Sequence, residues 1–191
     1  IVYNFETKLK KKNGEIISVL ESSNKIIEKV TGTVYYEGVY KDISRMKADR
    51  QEIEKLNQAI TFAPFSVVIT DRNGFIDYVN PKFEQVSGYS YNEVKGKKTN
   101  ILKSGKQDDK FYENMWDEIS RGNTWEGEFQ NKKKNGELYW ERAIISPILD
   151  EKGEIVNYLG IKDDITEKKS ILDELIVAKV KAEKSDKLKS E

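Results

Sequence analysis

The sequence contains no cysteine and no histidine. Without cysteine there is no disulfide, no zinc–thiolate centre, no thiol nucleophile and no thiol photoadduct. Without histidine the commonest haem and metal ligand and the usual general base are missing too. Most catalytic constellations are thereby out of reach, and no paired-carboxylate constellation replaces them, which argues against an enzyme. No apolar run approaches the length needed to cross a bilayer, and no signal-peptide pattern is present. An excess of one charge is also lacking. Lys+Arg and Asp+Glu each total 33, so nothing draws the chain to nucleic acid or an anionic membrane. The expectation is a cytoplasmic piece making no membrane contact of its own, whose parent protein could still be membrane-anchored. At 191 residues with 37% hydrophobic, one or two domains and a modest core are possible.

What the chain does contain is a repeat. Lys132-Lys133-Lys134-Asn135-Gly136-Glu137, Tyr158-Leu159-Gly160 and Asp164-Ile165-Thr166 answer to Lys10-Lys11-Lys12-Asn13-Gly14-Glu15, Tyr36-Glu37-Gly38 and Asp42-Ile43-Ser44. The offset is 122 throughout (135 − 13, 164 − 42), the mark of a duplicated structural unit. Asn135-Gly136 reads as a tight hairpin turn whose two residues tolerate positive φ. The aromatic and β-branched flanks Trp125 to Asn131 and Leu138 to Leu149 read as strands, and Ile155 to Ile161 as a third beyond Asp150-Glu151-Lys152-Gly153. Each copy is thus a three-stranded antiparallel meander that hands over to a helix at the Asp-Ile-Thr or Asp-Ile-Ser element. Three strands alone cannot bury two faces, so residues 1–44 read as the second half of a domain whose first half is absent; completion by another chain is the alternative.

Residues 45–60 are polar and helix-favouring, with Met46, Ile53, Leu56 and Ile60 in a narrow stripe. That stripe suits one partner helix, or a linker helix lying on its own domain. Ser66 to Thr70 and Phe75 to Val79 form a hairpin about Asp71-Arg72-Asn73-Gly74. Asn80-Pro81 opens a short helix with Phe83 and Val86 inward and Gly88 at its end. Ser90-Tyr91-Asn92-Glu93 is a capping-box pattern. Asp108-Asp109 begins a longer helix with Phe111, Met115, Trp116 and Ile119 on its buried face. From Thr166 onward Ile171, Leu175, Ala178, Ala182, Ser185 and Leu188 alternate at three and four residues, the pattern of a dimerising coiled-coil output helix over 167–191.

This order of elements, together with Ile69-Thr70-Asp71-Arg72-Asn73-Gly74, Tyr78-Val79-Asn80-Pro81, Gly88-Tyr89-Ser90, Ile101-Leu102-Lys103-Ser104-Gly105, Trp125-Glu126-Gly127-Glu128 and Asp164-Ile165-Thr166, resembles a PAS domain over 61–166, with 1–44 as the C-terminal half of a preceding copy. The resemblance implies an α+β PAS fold: a five-stranded antiparallel sheet with short helices on one face, flanked by linker helices. The tail Ala178 to Glu191 resembles the segment leading into the dimerisation and phosphoacceptor helix of bacterial sensor histidine kinases. That implies a kinase domain downstream in the same chain, with a cyclase output as the alternative, and a homodimer formed through the linker helices.

PAS relatives use the space between sheet and helices for ligands. Against the flavin-binding LOV type, Thr99 stands at the adduct-forming Cys, Asn100 at the phosphate-holding Arg, Glu141 at the second ring-contacting Asn and Lys162 at the redox-reading Gln. Only Asn131 agrees. A carboxylate and an ammonium against a neutral ring lack matched partners, so no LOV photoadduct is expected, and no haem either, since no His or Cys could serve as its axial ligand. A redox-sensing FAD type is resembled through Trp116, Trp125, Asn131 and Tyr139-Trp140, with Trp116, Asn131 and Trp140 as the candidate cofactor residues. Plain packing of these aromatics is the competing reading. An uncharged or acidic small metabolite stays open.

The Lys10–Lys12 and Lys132–Lys134 triplets read as solvated turns rather than nucleic-acid contacts. Asp108-Asp109 and Asp163-Asp164 read as helix starts rather than metal ligands. Asp164, Ile165 and Thr166 are the expected relay from sheet to exit helix. The reading is a sensor and signal-relay module of a two-component histidine kinase, with a ligand-free dimerisation spacer or an FAD redox sensor as alternatives.

Overall fold

The computed structural model describes residues 2–189, and the side chains of residues 5–184. Ser185 and Leu188 of the expected seam, and Ser190 and Glu191 of the tail, lie outside the described side chains. The chain divides into two compact units, residues 1–58 and 59–191.

The first unit is an antiparallel meander of β1 (Val2–Lys10), β2 (Ile16–Ile27) and β3 (Val34–Asp42), followed by α1 (Ser44–Thr61), whose last residues belong to the second unit. Every residue of β3 is exposed, including Tyr35, Tyr36, Val39 and Tyr40. In α1 the stripe residues Met46, Ile53 and Leu56 are also exposed, while Ile60 at its end is half-buried.

The second unit runs β4 (Ser66–Asp71), β5 (Ile76–Val79), α2 (Pro81–Ser87), α3 (Tyr91–Val94), a 3-10 turn (Thr99–Leu102), α4 (Asp109–Ser120), β6 (Trp125–Lys132), β7 (Leu138–Leu149), β8 (Ile155–Asp164) and α5 (Thr166–Lys189). The five strands form one antiparallel sheet in the order β5-β4-β8-β7-β6. This is the α+β PAS fold.

Local chemistry accounts for most boundaries. Asn80 caps α2, its Oδ1 accepting from Phe83 N at 3.1 Å, and Gly88 ends it at φ 75°. Asp108 accepts from Phe111 N at 2.8 Å and caps α4. The turns at Asn13-Gly14 and Asn135-Gly136 form where expected, but of the two residues that tolerate positive φ one alone uses it. Only the glycines do, each at 91°, and among the described residues no other type has positive φ. Asn135 uses its side chain instead, Oδ1 accepting from Glu137 N at 3.0 Å. Lys133 N to Glu137 O (2.8 Å) and Gly136 N to Lys133 O (2.9 Å) then close a longer loop with a left-handed glycine at its end. Asp163 and Asp164 end β8 opposite Arg142 and Glu141, and Asp164 from there accepts the first amide of the following helix, Thr166 N, at 3.0 Å, while Asp163 accepts no helical amide among the described residues.

Two apolar clusters fill the helical face of the sheet. Val68, Ile76, Val79, Phe83, Val94 and Leu102 pack together at the β4–β5 end. Met115, Phe129 and Ala143, with Phe111, Tyr112 and Trp125 against them, pack at the β6–β7 end, where Phe111 meets Phe129 edge-on at 5.4 Å.

At the rim, Ser90 and Glu93 form the capping box, Ser90 N donating to Glu93 Oε2 at 2.9 Å, while the Lys134 ammonium donates to Glu93 Oε1 and ties α3 to the β6–β7 turn. These contacts, Lys134 foremost and then Ser90, hold the Glu93 carboxyl down at about 2 against an ordinary 4.5. A depressed carboxyl contributes stability that is present above its unfolded value and lost as pH falls through its folded one. The native protein should therefore lose more stability between pH 4.5 and about 2 than a Glu93→Gln variant, as read by urea unfolding at a series of acid pH values.

Candidate functional site

Strand alternation decides which residues reach the helical face. On β7 the inward set is Tyr139, Glu141, Ala143 and Ile145, and on β8 it is Tyr158, Gly160 and Lys162. Between the two apolar clusters this face leaves a cavity of about 440 Å³. Its walls carry the rings of Tyr112, Trp116, Phe129 and Tyr158, with Trp116 and Tyr158 edge-on at 5.6 Å. Gly74, at φ 81°, lets the Trp116 ring close over the β4–β5 turn; a Cβ there would stand 2.9 Å from the indole.

The floor is polar and connected. Lys162 Nζ and Glu141 Oε2 are 2.9 Å apart, with the two residues 8% and 1% exposed. Asn131 Nδ2 donates to the same carboxylate at 2.9 Å, and the Tyr139 hydroxyl reaches its other oxygen at 3.4 Å. Burial first, and the Glu141 charge second, push the Tyr139 hydroxyl far up, so it stays a donor. This corrects the expectation that Glu141 and Lys162 lack matched partners: they match each other. Glu141 stands opposite Asp164 in the ladder, and Lys162 lies two residues before Asp164, a diagonal neighbour on the same face.

Of the candidate cofactor residues, Trp116 and Asn131 line the cavity and Trp140 does not. Trp140 alternates to the opposite face of the sheet, where Lys169 Nζ lies 4.6 Å from its ring. Thr99 and Asn100 line the cavity as well. The LOV flavin-contact pattern is not reproduced on this floor, where Asn131 Nδ2 donates to Glu141 and Lys162 Nζ pairs with the same carboxylate.

On the other side of the same strand lies the junction to α5. Ile165 N donates to Trp140 O at 2.9 Å, and Trp140 N donates to Thr166 Oγ1 at 2.8 Å. Thr166 N and Oγ1 contact Asp164 Oδ1 at 3.0 and 2.6 Å, and Lys169 pairs with Glu128 at 2.7 Å. The first unit repeats this bond for bond. Ile43 N donates to Ser18 O and Ser18 N to Ser44 Oγ, both at 2.9 Å; Ser44 N donates to Asp42 Oδ1 at 2.9 Å, and Lys47 pairs with Glu6 at 2.5 Å. Asp164, Ile165 and Thr166 are thus brought together by one backbone stretch of β7. Sequence reasoning found this junction but not its anchor, Trp140, although the offset of 122 maps Trp140 onto Ser18.

Beyond the junction, Ile171 and Leu175 are exposed, and so are Leu172, Ile176, Val177 and Val180; Ala178 and Ala182 are exposed beside them. The apolar surface of α5 is therefore broader than the expected seam. Among the described residues no helix is long and apolar enough to cross a membrane.

A curved antiparallel sheet with a cavity on its helical face and a helix tied to the backbone of a central strand defines the class of small α+β signalling domains. The chain belongs to the PAS domain family, whose model matches residues 64–167, more than half of it. It is 32% identical over 121 residues to the bacterioopsin transcriptional activator of Halobacterium salinarum, covering 62% of this chain and 18% of that protein. It is 34% identical over 98 residues to the aerotaxis receptor of Escherichia coli, covering 51% and 19%. The LOV domain of a blue-light activated histidine kinase from Erythrobacter litoralis superposes with a TM-score of 0.51 at 29% identity, covering 54% of this chain and 97% of that one. The chain spans less than a fifth of the length of the first two relatives.

Proposed function

We propose that this chain is a cytoplasmic, non-catalytic sensory relay module of a two-component histidine kinase. A stimulus alters the cavity floor, β7 shifts, the Asp164–Thr166 junction passes the shift to α5, and a homodimer paired along α5 carries it to a kinase domain in the same chain. The observation that carries this reading is the position of Trp140. Its backbone holds Ile165 and Thr166, while its neighbours Tyr139 and Glu141 belong to the Asn131–Glu141–Lys162 floor on the opposite face. Any change in the floor thus acts one residue from the root of the output helix. Ile171, Leu175, Ala178 and Ala182 supply the dimer seam in this reading. The cavity of about 440 Å³ favours a sensor over a filled-core spacer. An FAD-binding redox sensor keeps Trp116 and Asn131 in its favour but loses Trp140.

In the full-length kinase, Asp164→Ala removes the acceptor that fixes Thr166. The response of autophosphorylation to stimulus should fall about fivefold or more, the scale of an ordinary coupling energy. Asp164→Asn, which keeps the Oδ1 acceptor, should retain most of it. A normal response in Asp164→Ala would remove the junction from the relay.

A further inference from the structure

The cavity carries a charge pattern that its packing does not require. Its lining includes Arg72, Lys98, Lys103 and Lys162 and neither an Asp nor a Glu. Lys162 on the floor is neutralised by Glu141 from behind. The other three are exposed, and among the described residues none of them has a carboxylate partner. Some other lysines of this unit do pair with carboxylates, Lys133 with Glu137, Lys134 with Glu93, Lys168 with Asp163 and Lys169 with Glu128. Lys103 instead lies over the Tyr112 ring, a wall of the cavity, at 3.5 Å, and Lys98 over Phe75, which is outside the lining, at 5.3 Å.

We infer that the cavity takes a small organic anion. Its flat apolar body lies among Trp116, Phe129 and Tyr158, and its carboxylate or phosphate sits between Lys98, Lys103 and Arg72. The Glu141–Lys162 pair closes the floor to a second charge, which fits a ligand charged at one end only. Ammonium and guanidinium donors give an oxyanion charge-assisted bonds, and the rings supply the apolar contact that makes a buried site selective for an amphipathic molecule. This inference rests on the reading of the cavity as the sensory input, and names the chemistry it receives.

The test compares 2-naphthoate with its neutral counterpart 2-naphthalenemethanol on the 191-residue chain by titration calorimetry. The acid should bind about tenfold or more tightly, the scale of a charge-assisted bond. In the triple variant Arg72→Gln/Lys98→Gln/Lys103→Gln the preference should fall to about one while the affinity for the alcohol is kept, which also shows that the variant is folded. FMN against riboflavin is the parallel pair. A preference for FMN without one for naphthoate overturns the small-anion proposal in favour of a flavin nucleotide. Equal affinity for acid and alcohol, binding of neither, or a preference that survives in the triple variant overturns it outright. The Asp164→Ala variant should bind 2-naphthoate as the native chain does, so a failed relay and a failed ligand assignment give different results.

Discussion

Replacing Lys162 with Met is expected to cost about 3–5 kcal/mol of folding stability, the ordinary result of stripping one partner from a buried ion pair. Glu141 is 1% exposed, and its carboxylate would be left with the Asn131 amide at 2.9 Å and the Tyr139 hydroxyl at 3.4 Å as its only donors among the described residues. Two neutral donors do not replace an ammonium where water is excluded. Against a typical total of about 5–15 kcal/mol, the single change removes about a fifth or more of what holds such a domain folded. The double variant Glu141→Leu/Lys162→Met should regain part of the loss, because the pair gains little over apolar side chains of similar volume once both charges are gone. What it does not regain are the bonds from Asn131 and Tyr139, buried donors that lose this acceptor at about 1 kcal/mol or more each. Urea unfolding of the two variants beside the native chain checks this. A single-variant loss below about 1 kcal/mol would mean that water reaches the pair, since that is the scale of exposed ion pairs. The double variant has a second use: it keeps the fold but takes the polar contact from the floor, so its kinase response reports whether the floor is part of the relay.

Features that depend on a few neighbouring residues were legible in the sequence. The Asn80 and Asp108 caps, the Ser90–Glu93 box and the hairpin at Asp71–Gly74 form where expected, since each rests on side chains within about four positions of the amide they serve. The repeat was legible too, and its offset reaches the individual hydrogen bonds of the two helix junctions. Features that depend on which side of a strand faces the helices were read one residue out. Trp140 and Tyr139 are adjacent and both aromatic, and only the ladder register sends Tyr139 to the cavity side and Trp140 to the other. Glu141 and Lys162 lie 21 residues apart and meet only through the β7–β8 register, so as isolated charges they looked incompatible with burial. The place of the cavity follows only from the resemblance, and its size is not legible in the sequence. It is the gap between two clusters, and neither cluster's composition reveals how far from the other it stops.

Asn80→Ala is the second change from which a large loss is expected, and it acts at the opposite end of the sheet. Asn80 is fully buried and uses its whole amide. Oδ1 accepts from Val67 N at 2.9 Å and Phe83 N at 3.1 Å; Nδ2 donates to Ile60 O and Phe65 O, both at 3.0 Å. One side chain thereby fastens the last turn of α1, the start of β4 and the start of α2 to one another. Alanine takes one partner from each of these four groups; Phe83 N keeps Asn80 O at 3.0 Å and Ile60 O keeps Ala63 N at 3.4 Å, while Val67 N and Phe65 O lose theirs. Each buried orphan costs about 1–3 kcal/mol, and the lost cap alone about 1 kcal/mol. Water entering the vacated space relieves part of this, which puts the expected loss at about 3–5 kcal/mol. Asn80→Ser restores an acceptor for Phe83 N and nothing for Ile60 or Phe65, so it should recover only about 1 kcal/mol. The ordering native, then Ser, then Ala in urea midpoints tests the assignment. An alanine variant that unfolds like the native chain would show that α1 is fastened by other means. Because Ile60 ends the helix that leads into this domain, the serine variant has a functional consequence as well. It keeps α2 capped while freeing the α1 terminus, so hydrogen exchange at Ile60 to Phe65 should speed up by about tenfold or more, without a matching change in β7 and β8.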